Sequence, residues 1–437
     1  MVKTARVYLY DMFVGALLWD EESQLGLFEY DPDFIRTGIE ISPIHMPLIA
    51  NQTYAFPSLN RETYKGLPAI LADSLPDDFG NALIDAWLAK EGRDKATFTP
   101  VERVLYQGAR GMGALEYRPS IDGSAGPSES IQIEALVELA SEVLSKRESL
   151  ADRLSKHDPA VDDKALQRLI QVGTSAGGAR AKAVIAMNAK GEIRSGQVKA
   201  PKGFSYWLLK FDVAKHTDVL ADSQGFGRVE YAYSLMAKAA GLTMTECQLL
   251  QEGGRAHFLT KRFDRTDDGD KIHMATLCAL DHADYKRPGD YSYEAAFGVL
   301  RQLGLPRDQA VEFYRRAVFN VLARNQDDHS KNFSFLMDAT GEWNLSPAYD
   351  VSWSYQPDSF WVASHQLTLN GKRDNFEIDD LLALAGQVKG LDAKPIIREV
   401  CEAVKRWPIF AKESGVALET IDAIAATHRL YLGDSIE

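Results

Sequence analysis

NQDDHSKNF, Asn325 to Phe333, decides how this chain is read. Asp327 stands five positions before Asn332. Phosphoryl-transfer loops use that spacing to set an acid where it takes a hydroxyl proton and an amide where it holds a metal. After Asn332 the chain runs FSFLMDATGEWNLSPAYD to Asp350. Alternating apolar residues, a Thr-Gly turn and a second short run predict a β-hairpin. A hairpin folds back on itself, so Asp350 is expected near Asn332. An acid, an amide and a second acid then converge where magnesium and a phosphate tail fit. Magnesium takes oxygen donors and keeps several waters, which one Asn and one Asp allow. The same letters also suit a solvated turn, in which Asp328 and Lys331 are only surface charges.

The chain has 437 residues, enough for two or three domains, and 45% hydrophobic content to supply cores. No apolar run approaches ~20 residues, so no membrane span is expected. The start, MVKTARVYLYDMFVGALLWDEE, alternates like a strand pair and lacks the continuous apolar core of a signal peptide. Cys247, Cys278 and Cys401 lie far apart. They fit a reducing, cytoplasmic setting and suggest neither a zinc site nor a disulfide framework. Lys and Arg total 49 against 62 Asp and Glu, for a net charge of -13. Such an acidic chain suits a basic protein partner better than the direct grip of a nucleic-acid backbone.

Along the chain, VYLYDMFVGALLW and FEYDPDFI read as strands and FGNALIDAWLAKEG as an amphipathic helix. GARGMGALEYRPS gives glycine turns and a strand at Ala114 to Tyr117. SIDGSAGPSES reads as a linker. IQIEALVELASEVLSKRESL and VDDKALQRLIQVG carry helical spacing, AKAVIAMN and YWLLKFDV read as strands, and GRVEYAYSLMAKAAGL is a helix. HFLTKRFDR is a further strand. From about residue 270 the periodicity turns mainly helical, and DQAVEFYRRAVFNVLARN leads straight into the opening loop.

Lys210 is a cation inside the apolar strand YWLLKFD. There it must snorkel, find a carboxylate or meet a ligand phosphate. Kinases steady such a lysine with a helix glutamate, for which Glu230 is the candidate. In GTSAGGARAKAVIAMN, Gly177 and Gly178 let backbone amides approach a phosphate, and Lys182 adds a charge. No Walker step closes that loop, and an ordinary glycine turn explains it equally. FLTKRFDR offers a hinge for adenine, with Phe263 as an apolar face, or simply a salt-bridged strand end. The parts run in the order of a protein-kinase fold: Gly-rich turn, Lys210, Glu230, hinge, Asp327 with Asn332, hairpin, Asp350. The expected class is α+β, two-lobed and protein-kinase-like, with a β-rich N-terminal lobe and an all-α C-terminal lobe. The expected divisions are a β-rich subdomain over 1–120, a linker over 121–135, the rest of the N-lobe over 136–268 and the C-lobe over 269–437.

With these pieces assembled, the chain resembles the HipA family, the serine/threonine kinase toxins of bacterial toxin–antitoxin systems. The resemblance rests on GLPAILADSLPDDFG, RGMGALEYRP, TSAGGARAK, WLLKFD, KRFDR, NQDDHSKNFSF and SPAYDVS, which span nearly the whole chain. It implies ATP and Mg2+ as cofactors, Asp327 as catalytic base with His329 in support, and Asn332 and Asp350 as metal ligands. It implies Lys210 as the phosphate lysine, a hinge at Lys261, Arg262 and Phe263, and Tyr349 as a nucleotide contact. Lys261 stands where some members have an acid, a change that leaves backbone contacts to adenine intact. Ser175 falls at the family's autophosphorylation site, an off-switch that ejects the phosphate loop. Gly173 stands where some short relatives carry a first of two serines.

The resemblance further implies a protein substrate such as an aminoacyl-tRNA synthetase and a small helix-turn-helix antitoxin (HipB-like). DNA would be reached only through that antitoxin, and no membrane is involved. Two other readings stay open: a small-molecule or lipid kinase on the same fold, and a non-catalytic corepressor of an antitoxin.

Overall fold

In the first strands, β1 (Thr4–Leu9) and β2 (Met12–Asp20), Leu9 pairs with Met12. The two residues between them, Tyr10 and Asp11, have φ of 49° and 62°. Left-handed backbone at both central positions is the turn whose twist matches that of paired strands. The computed structural model describes residues 2–76, 78–121, 131, 133, 137, 181–212 and 225–436. The Gly-rich turn with Ser175, Gly177 and Gly178, nearly all of the linker 121–135 and nearly all of the two helices read between residues 131 and 173 lie outside the described residues.

Among the described residues the strands form three sheets. β3 (Leu25–Tyr30), β4 (Thr53–Tyr54) and β5 (Leu115–Arg118) join β1 and β2 in the order β4-β3-β2-β1-β5. FEYDPDFI does not continue as one strand. β3 ends at Tyr30, Asp31 accepts from the backbone N–H of Asp33, and Pro32 opens a short helix. Proline at the first helical position and an acidic cap favour that break. Helix α1 (Asp78–Lys90) follows, then α2 (Pro100–Gln107), which starts with a reciprocal Thr99–Glu102 capping box.

The second sheet has the order β7-β6-β8-β10-β9. Its strands are β6 (Lys182–Asn188), β7 (Ile193–Ser195), β8 (Phe204–Lys210), β9 (Cys247–Glu252) and β10 (Arg255–Lys261). Between β8 and β9 lies α3 (Phe226–Ala239). Gly227 lets α3 approach β10, since a Cβ there would sit 2.0 Å from the Ala256 carbonyl oxygen.

The C-terminal half is helical: α4 (Tyr293–Gln302), α5 (Arg307–Leu322), α6 (Ile378–Ala385), α7 (Ala393–Lys405), α8 (Trp407–Glu413) and α9 (Leu418–Ala425). It is not all-α, however. β11 (His273–Thr276), β12 (Ser334–Met337) and β13 (Trp343–Leu345) make a third, antiparallel sheet. The hairpin is where the alternation puts it. Its partner β11 is only four residues long and shows no readable period; it is a strand because the hairpin edge needs hydrogen-bond partners. The α+β class and the two-lobed order stand.

One apolar core runs from β1–β3 through Tyr64, Leu67 and Ile70 to Leu277–Leu280, α4, α5 and α7. A second core, with Ile131, Ile133 and Val137, covers the face of the second sheet that carries Trp207 and Leu209. The three cysteines are buried and unbridged. Among the described residues no helix is long and apolar enough to cross a membrane.

Candidate active site

Lys210 ends β8 with its ammonium held by two carboxyl groups, Glu230 of α3 and Asp350. Lys182 begins β6 and stands directly opposite Lys210 in the register. Like charges facing each other across a sheet repel, so this pair needs anions nearby. Lys182 is buried, and its charge reaches Asp350. Burial alone would push the Asp350 carboxyl up. The Lys210 ammonium and its hydrogen bond, with Lys182 behind them, outweigh burial and hold Asp350 well below the usual carboxylate range. Burial would likewise lower Lys210, but Asp350 and Glu230 raise it above the ordinary lysine value. The site is thus a fixed lattice of opposite charges. Asp350 has φ of 54°, a left-handed backbone that non-glycine residues seldom adopt and that gathers at functional sites.

The opening loop leaves α5 through Arg324, also left-handed at φ 55°. Asn332 donates through Nδ2 to the backbone oxygen of Asp327 at 2.7 Å, which fixes the loop's two ends. The Asp327 side chain is 45% exposed, with His329 Nε2 3.8 Å from its Oδ1. Burial raises the Asp327 carboxyl above its ordinary value; His329 opposes this and Asp350 adds to it. A carboxylate of raised pKa is a better proton acceptor near neutral pH.

Asp328 is no solvated charge. It is fully buried and accepts from Tyr293 Oη, from His365 Nδ1 and from the Gln366 backbone N–H, each at 2.7 Å. Arg429 donates to His365 Nε2 at 3.0 Å, so the proton shared with Asp328 sits on Nδ1. Arg429 also reaches Gln326 Oε1 at 2.9 Å. This network anchors the loop from beneath and leaves the preceding residue, Asp327, facing outward. Sequence reading missed it because His365 and Arg429 lie far downstream and no local pattern links them to Asp328.

Tyr349 packs its ring 5.5 Å from that of Phe263, at the hinge strand's exit. Its hydroxyl donates to the Lys331 carbonyl at 2.6 Å and shares a hydrogen bond with Ser334. Lys261 turns its ammonium to Asp267, at 2.9 Å. The Lys261 N–H is taken by the Glu246 carbonyl, its carbonyl by the Thr245 hydroxyl, and the Arg262 N–H by the Tyr206 carbonyl. Arg262 is a structural residue rather than an open contact. Arg262 and Arg265 both bind the buried Asp264, which also accepts from the Gly113 N–H at 2.7 Å. The two motifs KRFDR and RGMGALEYRP are therefore one joint.

Asn332 and Asp350 line one cavity with Asp328, Tyr349 and Arg316. Because Asn332 spends its Nδ2 on Asp327, its amide oxygen remains as the donor toward a cation. Asp350, held ionised, supplies the second oxygen, and this hard donor pair fits magnesium. Among the described residues no group of three His, Cys, Asp or Glu side chains forms a metal site.

Comparison with known proteins adds the following. The model of the HipA-like C-terminal domain matches residues 174–407, and that of the HipA N-terminal domain matches residues 5–118. "Putative kinase Y4dM" of Sinorhizobium fredii is 27% identical over 387 residues, covering 82% of this chain and 83% of that protein. "Putative kinase Y4mE" of the same organism is 29% identical over 125 residues, a match that spans 30% of that protein. HipA in the Shewanella oneidensis complex of HipA, HipB and operator DNA shares the fold with a TM-score of 0.68, at 18% identity, covering 98% of this chain and 96% of that one. With both domain models matched in order and the first covering more than half of the chain, this protein belongs to the HipA family.

Proposed function

We propose that the chain is an ATP-dependent serine/threonine protein kinase that acts as a toxin. The observation that carries this reading is Lys210 bound at once to Glu230 and Asp350, beside the Asp327–Asn332 loop. Lys210 and Lys182 orient the phosphate tail, and Glu230 keeps Lys210 in place. Asp327 accepts the proton of the attacking hydroxyl, helped by its raised pKa. Asn332 and Asp350 would hold Mg2+, which when bound neutralises charge on the transferring phosphate. The base would lie against Tyr349 and Phe263. Its hydrogen bonds would come from the backbone beyond Lys261, whose own groups are engaged in the sheet.

The names of the Sinorhizobium relatives support a kinase. The HipB and operator DNA named with the Shewanella HipA support a helix-turn-helix antitoxin as partner, with DNA reached through it. An aminoacyl-tRNA synthetase as substrate and Ser175 as an autophosphorylated off-switch remain part of the proposal on family grounds. On the same family grounds, a phosphate on Ser175, about -1.5 to -2 charges, would repel the phosphates of ATP and disfavour binding. The test is incubation with labelled Mg-ATP followed by mass spectrometry. Phosphate on Ser175 and on a protein acceptor, both absent in Lys210→Ala, is expected. No ATP binding by the wild type would overturn the reading.

A further inference from the structure

Beyond Asp350, the segment Gln356–Ala363 forms a compact loop closed on itself. Gln356 N–H meets the Val362 carbonyl at 3.3 Å, Ser359 N–H the Gln356 carbonyl at 3.0 Å, and Ala363 N–H the Ser359 carbonyl at 3.1 Å. The Ser359 hydroxyl accepts from the backbone of Trp361 and Val362. At its tip Phe360 is 77% and Trp361 44% exposed, their rings 5.2 Å apart and nearly perpendicular. Phe360 is the most exposed large apolar side chain among the described residues.

The loop is tied to the residues on either side of Asp327. Buried Gln326 donates to the Val362 carbonyl at 3.0 Å. Gln366 donates to the Trp361 carbonyl through its side chain and to Asp328 through its backbone. An aromatic pair left in water on a loop of fixed shape is costly unless something covers it. A preformed loop also loses little freedom when it binds. Nucleotide recognition does not need the pair, because Phe263 and Tyr349 already form a separate aromatic pair. Nor does a nucleic-acid backbone suit it, with Asp358 beside the pair and a net charge of -13.

Resting on the kinase reading, we propose that Phe360 and Trp361 form a docking site for the protein that receives the phosphate. They would grip a large apolar side chain flanking the acceptor hydroxyl, so that the hydroxyl is delivered to Asp327. The hydrogen bonds to Gln326 and Asp328 tether this aromatic loop to the residues on either side of Asp327.

The test compares the wild-type full chain with the double variant Phe360→Ser/Trp361→Ser, whose changes are exposed and leave the core intact. The probe is a serine-centred peptide library, randomised on both sides of the serine, with Mg-ATP. The wild type is expected to select a large apolar residue at a flanking position. The variant is expected to lose about tenfold or more in kcat/KM for the selected peptide, a typical aromatic hot-spot loss, with ATP affinity and basal ATP hydrolysis unchanged. Three results would overturn the docking site while leaving the kinase standing: no apolar preference, an unchanged kcat/KM in the variant, or ATP turnover with no peptide phosphorylated. A concentration-dependent dimer abolished by the double variant would put a second copy on the pair and also overturn it. A wild type that does not bind ATP removes the kinase reading and this inference together.

Discussion

Asp327 and Asp350 show how two acids of one site are shifted in opposite directions by their surroundings. Lys210 holds Asp350 below the usual carboxylate range, while partial desolvation raises the half-exposed Asp327 above its ordinary value. Asp327→Asn keeps the shape and removes the acceptor, so phosphate transfer should fall about 10²-fold or more with ATP affinity retained. A folded variant with near-normal transfer would sink Asp327 as the base. The pH dependence follows in sign. Protonated Asp327 cannot act, so activity is lost as pH falls through its raised pKa. The acid limb of kcat/KM should therefore lie above the ordinary aspartate value of ~3.9. His329 opposes the rise, so His329→Gln should move the limb to higher pH. A limb at or below the ordinary value, or one unmoved in His329→Gln, would contradict this account.

At the scale of elements, the site depends on how closely α3 lies on the second sheet. Gly227→Ala would drive a Cβ into the Ala256 carbonyl at 2.0 Å. Backbone cannot yield as a flexible side chain does, so α3 must lift and carry Glu230 away from Lys210. The variant should lose roughly 1–3 kcal/mol of stability and bind ATP more weakly. Calorimetric melting and nucleotide titration read both effects, and an unchanged variant would show that α3 is not seated as described. This element was legible beforehand: the helix over GRVEYAYSLMAKAAGL, the strand bearing Lys210 and the hairpin before Asp350 all follow from period and turn chemistry. β11 was not legible, being short and dictated by its neighbour. The Asp328–His365–Arg429 network was not legible either, because it joins residues 37 and more positions apart through tertiary packing alone. FEYDPDFI misled because the Asp-Pro pair that stops the strand sits inside an otherwise apolar run.

For the molecule as a whole, the N-terminal sheet and the second sheet are joined through Asp264. Burial would raise its carboxyl, but Arg262 and Arg265 outweigh burial and hold it well below the usual range. A carboxyl depressed in the folded state stabilises fully above its unfolded pKa of ~3.9, and that contribution fades as pH falls through the folded value. Asp264→Ala leaves two buried guanidinium groups without their carboxylate and should cost about 3–5 kcal/mol. The measurement is denaturant unfolding at neutral and acid pH. A loss no greater at neutral pH than in acid would contradict the sign. The net charge of -13 sets a further expectation for the intact chain. In a DNA shift assay the chain alone should bind an operator weakly, and should reach it with a basic antitoxin in a salt-sensitive way. Tight, specific binding by the chain alone would refute that.

The tip of the first hairpin has a consequence for the order in which the molecule is made. Tyr10 donates to the Met337 carbonyl at 2.8 Å and accepts from the His273 N–H at 2.9 Å. The tip of the first hairpin is therefore fastened only once residue 337 is in place. Its own strands pair early, because their contacts are local, but closure over 327 residues is the slow kind. Met337 belongs to the same hairpin that brings Asn332 and Asp350 together. Docking of the first hairpin and the approach of Asn332 to Asp350 thus both depend on that one hairpin.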